Sequence, residues 1–168
     1  MTGVLLSLVL TSLYLLQASD SIDIQPDLDV QKLAGRWNLV ALAIEKGDPT
    51  HYNRRLITVE PESNGDMVYV IDAYQDNECK KMVSRFTLGE KPGIYTKGQS
   101  TLYFVKADYS RYHMVFVDTT IMKALHLYTR EPEPSADIIA IYKAVAKSLD
   151  LPADKIIYLH RSAPCPAA

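Results

Sequence analysis

Gly35-Arg36-Trp37-Asn38-Leu39-Val40-Ala41-Leu42-Ala43 alternates along its length. Trp37, Leu39, Ala41 and Ala43 fall on one side, and a partly polar set beginning at Asn38 falls on the other. That is the period-two pattern of a strand with one buried face. Working outward, the pattern recurs. Residues 56–59 form a short β-prone run, ended by Pro61 and the turn Ser63-Asn64-Gly65-Asp66. Met67, Tyr69, Ile71 and Ala73 share a face of the next run, and Met82, Ser84, Phe86 and Leu88 alternate with Val83, Arg85 and Thr87. A turn at 89–93, a brief strand at 94–97, and runs at 101–105, 112–117 and 122–128 complete a reading of eight strands. Short strands separated by turns predict an all-β sandwich or barrel. Eight antiparallel strands closed on themselves leave an interior able to hold one small ligand.

The period changes after Pro132 and Pro134. Ile138, Ile141, Tyr142, Val145 and Leu149 form the stripe of one amphipathic helix, with Ser135 at the N-cap position and Asp137 in the first turn. Pro152 ends it, residues 156–159 read as a last short strand, and a proline-rich tail carries Cys165.

The N-terminus reads as a targeting segment. Residues 4–16 are an apolar run followed by Gln17, Ala18, Ser19 and Asp20. The run is too short to cross a ~30 Å hydrocarbon core as a helix, and it fits a secretory signal cleaved near Ala18 or Ser19. The alternative is a buried N-terminal helix. The expected division is a signal peptide at 1–18 and one domain at 19–168, secreted and extracellular, with no membrane span. The chain holds two cysteines, Cys79 and Cys165, an even number that favours pairing in an oxidising compartment. No N-glycosylation sequon occurs.

Composition narrows the function classes. A chain of 168 residues argues for one domain, and 48% hydrophobic with 23% charged residues is that of an ordinary globular protein. A formal net charge of −2 gives no electrostatic footprint for nucleic acid. The four histidines, His51, His113, His126 and His160, show no His-x-x-x-His spacing, and there is no Cys-x-x-Cys, so no metal site and no cofactor are expected. No residue set in the sequence argues for catalysis.

At this point the residues resemble the lipocalin family across almost the whole mature chain. Gly35-Arg36-Trp37 resembles the family's Gly-x-Trp signature opening the first strand, and residues 30–34 the short helical lead-in before it. Ala107-Asp108-Tyr109 is similar to the Thr-Asp-Tyr signature, with alanine where threonine is usual. Arg130 looks like the arginine that ends the eighth strand, and Cys79 and Cys165 match the family's usual bridge from a mid-barrel strand to the tail. Within the family the resemblance runs to the small odorant- and pheromone-carrying branch, including the major urinary proteins. It implies an eight-stranded antiparallel up-and-down barrel with one C-terminal α-helix packed outside. Gly35, Trp37, Asp108, Tyr109 and Arg130 would be structural, with the arginine laid over the indole face as a cation–π pair. The family's prostaglandin-isomerising branch relies on an interior cysteine. Here both cysteines match the structural bridge.

Strand phase then selects a lining. With Lys123 and Asp72 facing solvent, the inward residues are Met122, Ala124, His126 and Tyr128 on one strand and Met67, Tyr69 and Ile71 on another. The same logic adds Leu39, Leu56, Met82, Ser84, Phe86, Leu102 and Phe104. The seventh strand reads either way: His113, Val115 and Val117 inward, or Tyr112, Met114 and Phe116. The expected ligand set is Leu39, Leu56, Met67, Tyr69, Ile71, Met82, Phe86, Leu102, Phe104, Val115, Val117, Ala124, His126 and Tyr128. Burying ~250 Å² of ligand at ~25 cal/mol/Å² gives roughly 6 kcal/mol before association costs, so micromolar affinity is expected. If both interior histidines line the cavity, affinity is expected to fall between pH 7 and 5.

The leading expectation is an extracellular carrier of a small hydrophobic ligand (an odorant, pheromone or similar lipophile), monomeric or a weak homodimer, with a cell-surface receptor as a candidate partner. One alternative is an enzyme acting on a lipophile through His113, His126 or Ser84. Another is a defence or signalling protein acting by sequestration or surface contacts. A siderophore pocket would want several inward cations, and only Lys97, Lys106 and Arg85 lie near, with Arg85 expected outward.

Overall fold

The computed structural model describes residues 21–50, 52–53, 55–75, 78–160 and 165. The signal segment expected at 1–18, and His51, lie outside the described residues. A 3-10 turn (Val30–Leu33) leads into β1 (Gly35–Lys46), followed by β2 (Arg55–Pro61), β3 (Met67–Gln75), β4 (Glu78–Leu88), β5 (Ile94–Lys97), β6 (Ser100–Asp108), β7 (Tyr112–Asp118) and β8 (Lys123–Thr129). The helix α1 (Ala136–Ser148) and β9 (Ile156–Tyr158) complete the order. Strands β2 to β8 are antiparallel neighbours in sequence order, and β1 pairs with both β8 and β2, closing eight strands into a barrel. The short β9 adds to β1 at Ala41, Leu42 and Ala43.

The barrel wall is buried on both faces over β7, β8 and β1. Inside, Trp37, Leu39, Leu42, Met67, Phe104 and Tyr128 belong to one apolar cluster. Outside, Val40, Ala41, Met114, Leu125 and Leu127 pack against Ile138, Tyr142 and Ala146 of α1. These three helix residues recur every four positions, so they share a face. The Tyr142 hydroxyl donates to the Leu125 carbonyl at 2.7 Å. Ser135 occupies the N-cap position, but its hydroxyl is bonded to the Asp137 carboxylate rather than to a helix amide. Asp150, just past the helix, is left-handed at φ 57°. Cys79 on β4 is joined to Cys165, with Cα atoms 5.4 Å apart.

Three strand phases needed the structure. A bulge in β1 between Leu39 and Ala41 reverses the alternation, so Ala41 and Ala43 face the helix while Leu42 and Ile44 turn inward, correcting the row read from sequence. Leu56 is also corrected. It stands opposite Asn38 and Asp72 on the outer face, and Ile57 and Val59 take the inner one. On β7 the inward row is His113, Val115 and Val117, while Tyr112, Met114 and Phe116 lie under the helix.

Candidate functional site

One end of the barrel is sealed. Trp37 is fully buried there and its indole N–H donates to the Leu33 carbonyl at 2.7 Å, tying the lead-in turn across the opening. The Arg130 guanidinium lies 3.6 Å from the indole ring centre. It donates through Nη1 to the carbonyls of Ala34 and Arg36 at 3.1 Å, through Nη2 to Lys32 at 3.3 Å and through Nε to Tyr109 at 3.0 Å. Gly35 is required beside it. Its φ is +99°, and a Cβ there would stand 3.3 Å from Arg130 Nη1. Tyr109 accepts the Asp29 amide at 2.9 Å, and Asp108 caps its own turn by accepting from Ser110. At Ala107 the amide is taken by the Gln25 side chain at 3.1 Å. A cleft of about 380 Å³ between Leu28, Val30, Leu88 and Tyr95 lies at this sealed end.

The strands place most of the expected lining on the inner face. Leu39, Met67, Tyr69, Phe86, Leu102, Phe104, Val115, Ala124 and Tyr128 belong to the interior cluster, with Ile71 and Val117 half-buried against it. Met82 faces the same way, opposite Ile71, yet is 40% exposed because it lies high on β4, above the point where that strand pairs with β5. Ser84 accepts from the Lys97 ammonium at 2.9 Å. Arg85 points outward, as expected, and pairs with Glu62.

An aromatic column climbs from the floor along β7 and β8. The Trp37 and His113 rings meet edge-on at 4.3 Å, and His113 stacks on Tyr128 at 4.6 Å. Tyr128 lies 6.0 Å from His126, and His126 lies 6.0 Å from Tyr52 in the loop between β1 and β2. His126 Nδ1 and the Tyr128 hydroxyl are 3.2 Å apart. His126 Nε2, the Tyr69 hydroxyl and both His113 nitrogens are buried without a hydrogen-bond partner. Such orphaned groups are rare in native interiors, because each forfeits its bonds to water.

Burial decides their charge. Desolvation, helped by the Arg55 charge, lowers His126 to about 3, and desolvation with Arg130 holds His113 well below the usual imidazole range. Burial pushes the Tyr69 phenol well up, with Tyr128 adding to it, and the Tyr95 phenol to about 12. Burial therefore disfavours the charged form of both interior imidazoles, which opposes the loss of ligand affinity expected from their protonation between pH 7 and 5.

Sequence reasoning missed Arg55. It stands opposite Leu39 on β1, in the inward row of β2 with Ile57 and Val59. Thr58 and Glu60 between those residues were the signal that would have fixed the phase.

The eight-stranded closed barrel is matched by comparison with known proteins. The sequence profile of the lipocalin / cytosolic fatty-acid binding protein family matches residues 34–163. The chain belongs to the lipocalin family. Epididymal secretory protein 4 of Zootoca vivipara is 23% identical over 158 residues, covering 92% of this chain and 91% of that protein. Major urinary protein 17 of Mus musculus is 26% identical over 149 residues, 83% of each. The solved structure of the siderocalin Ex-FABP, described as functioning through dual ligand specificities, superposes with a TM-score of 0.71 at 20% identity, covering 82% of this chain and 99% of that one. Lipocalins bind small hydrophobic ligands and act as carriers. In this lipocalin the described residues include no helix long and apolar enough to cross a membrane.

Proposed function

We propose that this lipocalin is an extracellular carrier whose barrel interior takes one small lipophile of odorant or pheromone size. The observation that carries the reading is the pair of orphaned polar atoms, the Tyr69 hydroxyl and His126 Nε2, on an otherwise apolar inner face. A ligand with one polar group supplies their missing partner, while its apolar body lies against Leu39, Ile71, Met82, Phe86, Leu102, Val115, Val117 and Ala124. Met67 and Phe104 close the base of the site, and Tyr128 holds His126 in place.

Secretion belongs to the same proposal. The bond between Cys79 and Cys165 suits an oxidising compartment, the names of the relatives above are those of secretory and urinary proteins, and residues 1–18 serve as the signal peptide of a mature chain beginning at 19. We read the protein as a carrier and not an enzyme: both cysteines are bonded to each other, Ser84 is engaged by Lys97, and His113 is walled in by Trp37, Phe104 and Tyr128. A receptor at the cell surface and a monomeric or weakly dimeric state complete the proposal.

Displacement of a neutral fluorescent apolar probe tests it. Saturable micromolar binding, reversed by a competing lipophile that is recovered unchanged, is the expected result. Failure to bind any apolar probe would remove the reading, and turnover of the competitor would replace it with an enzymatic one.

A further inference from the structure

Arg55 is a feature of the interior that a neutral lipophile leaves unexplained. The pairing of Trp37 with Ile57 and of Leu39 with Arg55 fixes its side chain on the inner face, at the first residue of β2 and directly after the loop that carries Tyr52. Its guanidinium lies 4.7 Å from the Tyr52 ring centre, and Tyr52 in turn meets His126 edge-on. The charge is felt by the groups below it, since Arg55 lowers His126 and opposes the upward shift of Tyr128. Among the described residues no carboxylate pairs with it.

A half-buried guanidinium on an apolar inner face loses hydration that a single aromatic face only partly replaces. What restores it is an anion with acceptor oxygens in the plane of the guanidinium fork. A neighbouring donor lies in the same region: His126 Nε2, when protonated in the neutral ring, is buried and without a partner, and the His126 ring meets Tyr52. One guanidinium balances one negative charge. A dianionic phosphate would remain net negative in a low-dielectric chamber, whereas a carboxylate is neutralised.

We infer that the natural ligand is a monocarboxylic acid with an apolar body, its carboxylate held at the barrel mouth by the Arg55 guanidinium beneath the Tyr52 ring. This rests on the carrier reading and adds the charge and polarity of the ligand to it. The acid enters apolar end first, leaving its head level with the loop between β1 and β2.

The test compares dodecanoic acid with dodecanol as competitors of one neutral probe, N-phenyl-1-naphthylamine, at pH 7.5. Wild type is expected to prefer the acid by about tenfold, the scale of one charge-assisted contact. Arg55→Gln brings the two competitors to parity while leaving affinity for the probe and for dodecanol unchanged. Arg55→Lys restores part of the preference. Arg85→Gln, which removes the same charge from the outer wall, keeps it whole. Equal affinity of wild type for acid and alcohol, or an acid preference that survives Arg55→Gln, would overturn the inference and leave the carrier reading standing. Failure of probe and both competitors to bind would overturn both. Retention of the wild-type thermal transition by each variant separates these outcomes from misfolding.

Discussion

The guanidinium of Arg130 and the indole of Trp37 form one stacked unit, 3.6 Å from charge to ring centre, in which the arginine also closes four hydrogen bonds to backbone carbonyls. The stack joins the end of β8 to the lead-in turn with the start of β1, and to Tyr109 after β6. Three segments distant in sequence are fixed by one side chain. The four acceptors are spread around a planar donor set, which only a guanidinium supplies.

Arg130→Lys should therefore cost about 1–3 kcal/mol, because an ammonium cannot stack and serve all these carbonyls at once. Urea unfolding followed by tryptophan fluorescence reads it directly, since Trp37 is the single tryptophan of the chain. A midpoint equal to wild type would mean that the charge alone matters.

Removing the ring is more damaging. Trp37→Ala empties a fully buried site and strips the Leu33 carbonyl and the Arg130 face of their partner. A loss of about 3–5 kcal/mol is expected, as for other large aromatic deletions from cores. Calorimetry decides it, and near-wild-type melting would contradict the role of this residue in the floor.

The bond between Cys79 and Cys165 closes a loop over a sequence separation of 86. Restricting the unfolded chain in this way stabilises by roughly 4.6 kcal/mol in the chain-entropy picture, an upper bound before any strain. The paired change Cys79→Ser with Cys165→Ser should lower the urea midpoint while leaving far-ultraviolet dichroism of the barrel intact, because Cys79 lies on the exposed, upper part of β4. Loss of the β signature would show instead that the tail is needed for closure.

Interior histidines make stability depend on pH with a definite sign. Unfolded, each titrates near 6.5; folded, burial lowers His126 to about 3 and holds His113 lower than usual too. The unfolded chain thus binds more protons below 6.5, so stability is whole above that pH and is lost as pH falls toward 3. Unfolding free energies at pH 7, 5.5 and 4.5 should decline, and His126→Asn should reduce the slope by up to one proton. An unchanged slope would show that His126 is charged in the native protein.

How far the sequence spoke for itself depended on what covered each face. On β3 the charge of Asp72 marked the outer row, so Met67, Tyr69 and Ile71 fell inward, and on β4 Arg85 did the same for Met82, Ser84 and Phe86. On β7 both rows are apolar because α1 buries the outer one, so periodicity could not choose between His113 and Tyr112. The bulge after Leu39 was invisible for a related reason: Ala41 and Ala43 are apolar for the helix, and Leu42 and Ile44 are apolar for the interior. Arg55 was hidden by the assumption that charge faces out. That assumption fails at Arg55, whose register partner Leu39 faces the interior.

Tyr69 links stability to binding in a way a single substitution can expose. Its hydroxyl is buried without a partner between Phe86 and Tyr128, whose rings lie 5.3 and 6.5 Å away. In the empty protein that hydroxyl is a cost, so Tyr69→Phe should raise stability by about 1 kcal/mol while preserving both ring contacts. If the proposed carrier site is right, the same oxygen meets the polar group of the ligand, so the variant should bind a lipophile bearing a hydroxyl or carboxylate several-fold more weakly and a pure hydrocarbon unchanged. Thermal shifts with and without each ligand measure both halves on one sample. A variant less stable when empty would mean that the phenol is already satisfied by ordered water, and equal affinity for the polar ligand would place the head group elsewhere in the barrel.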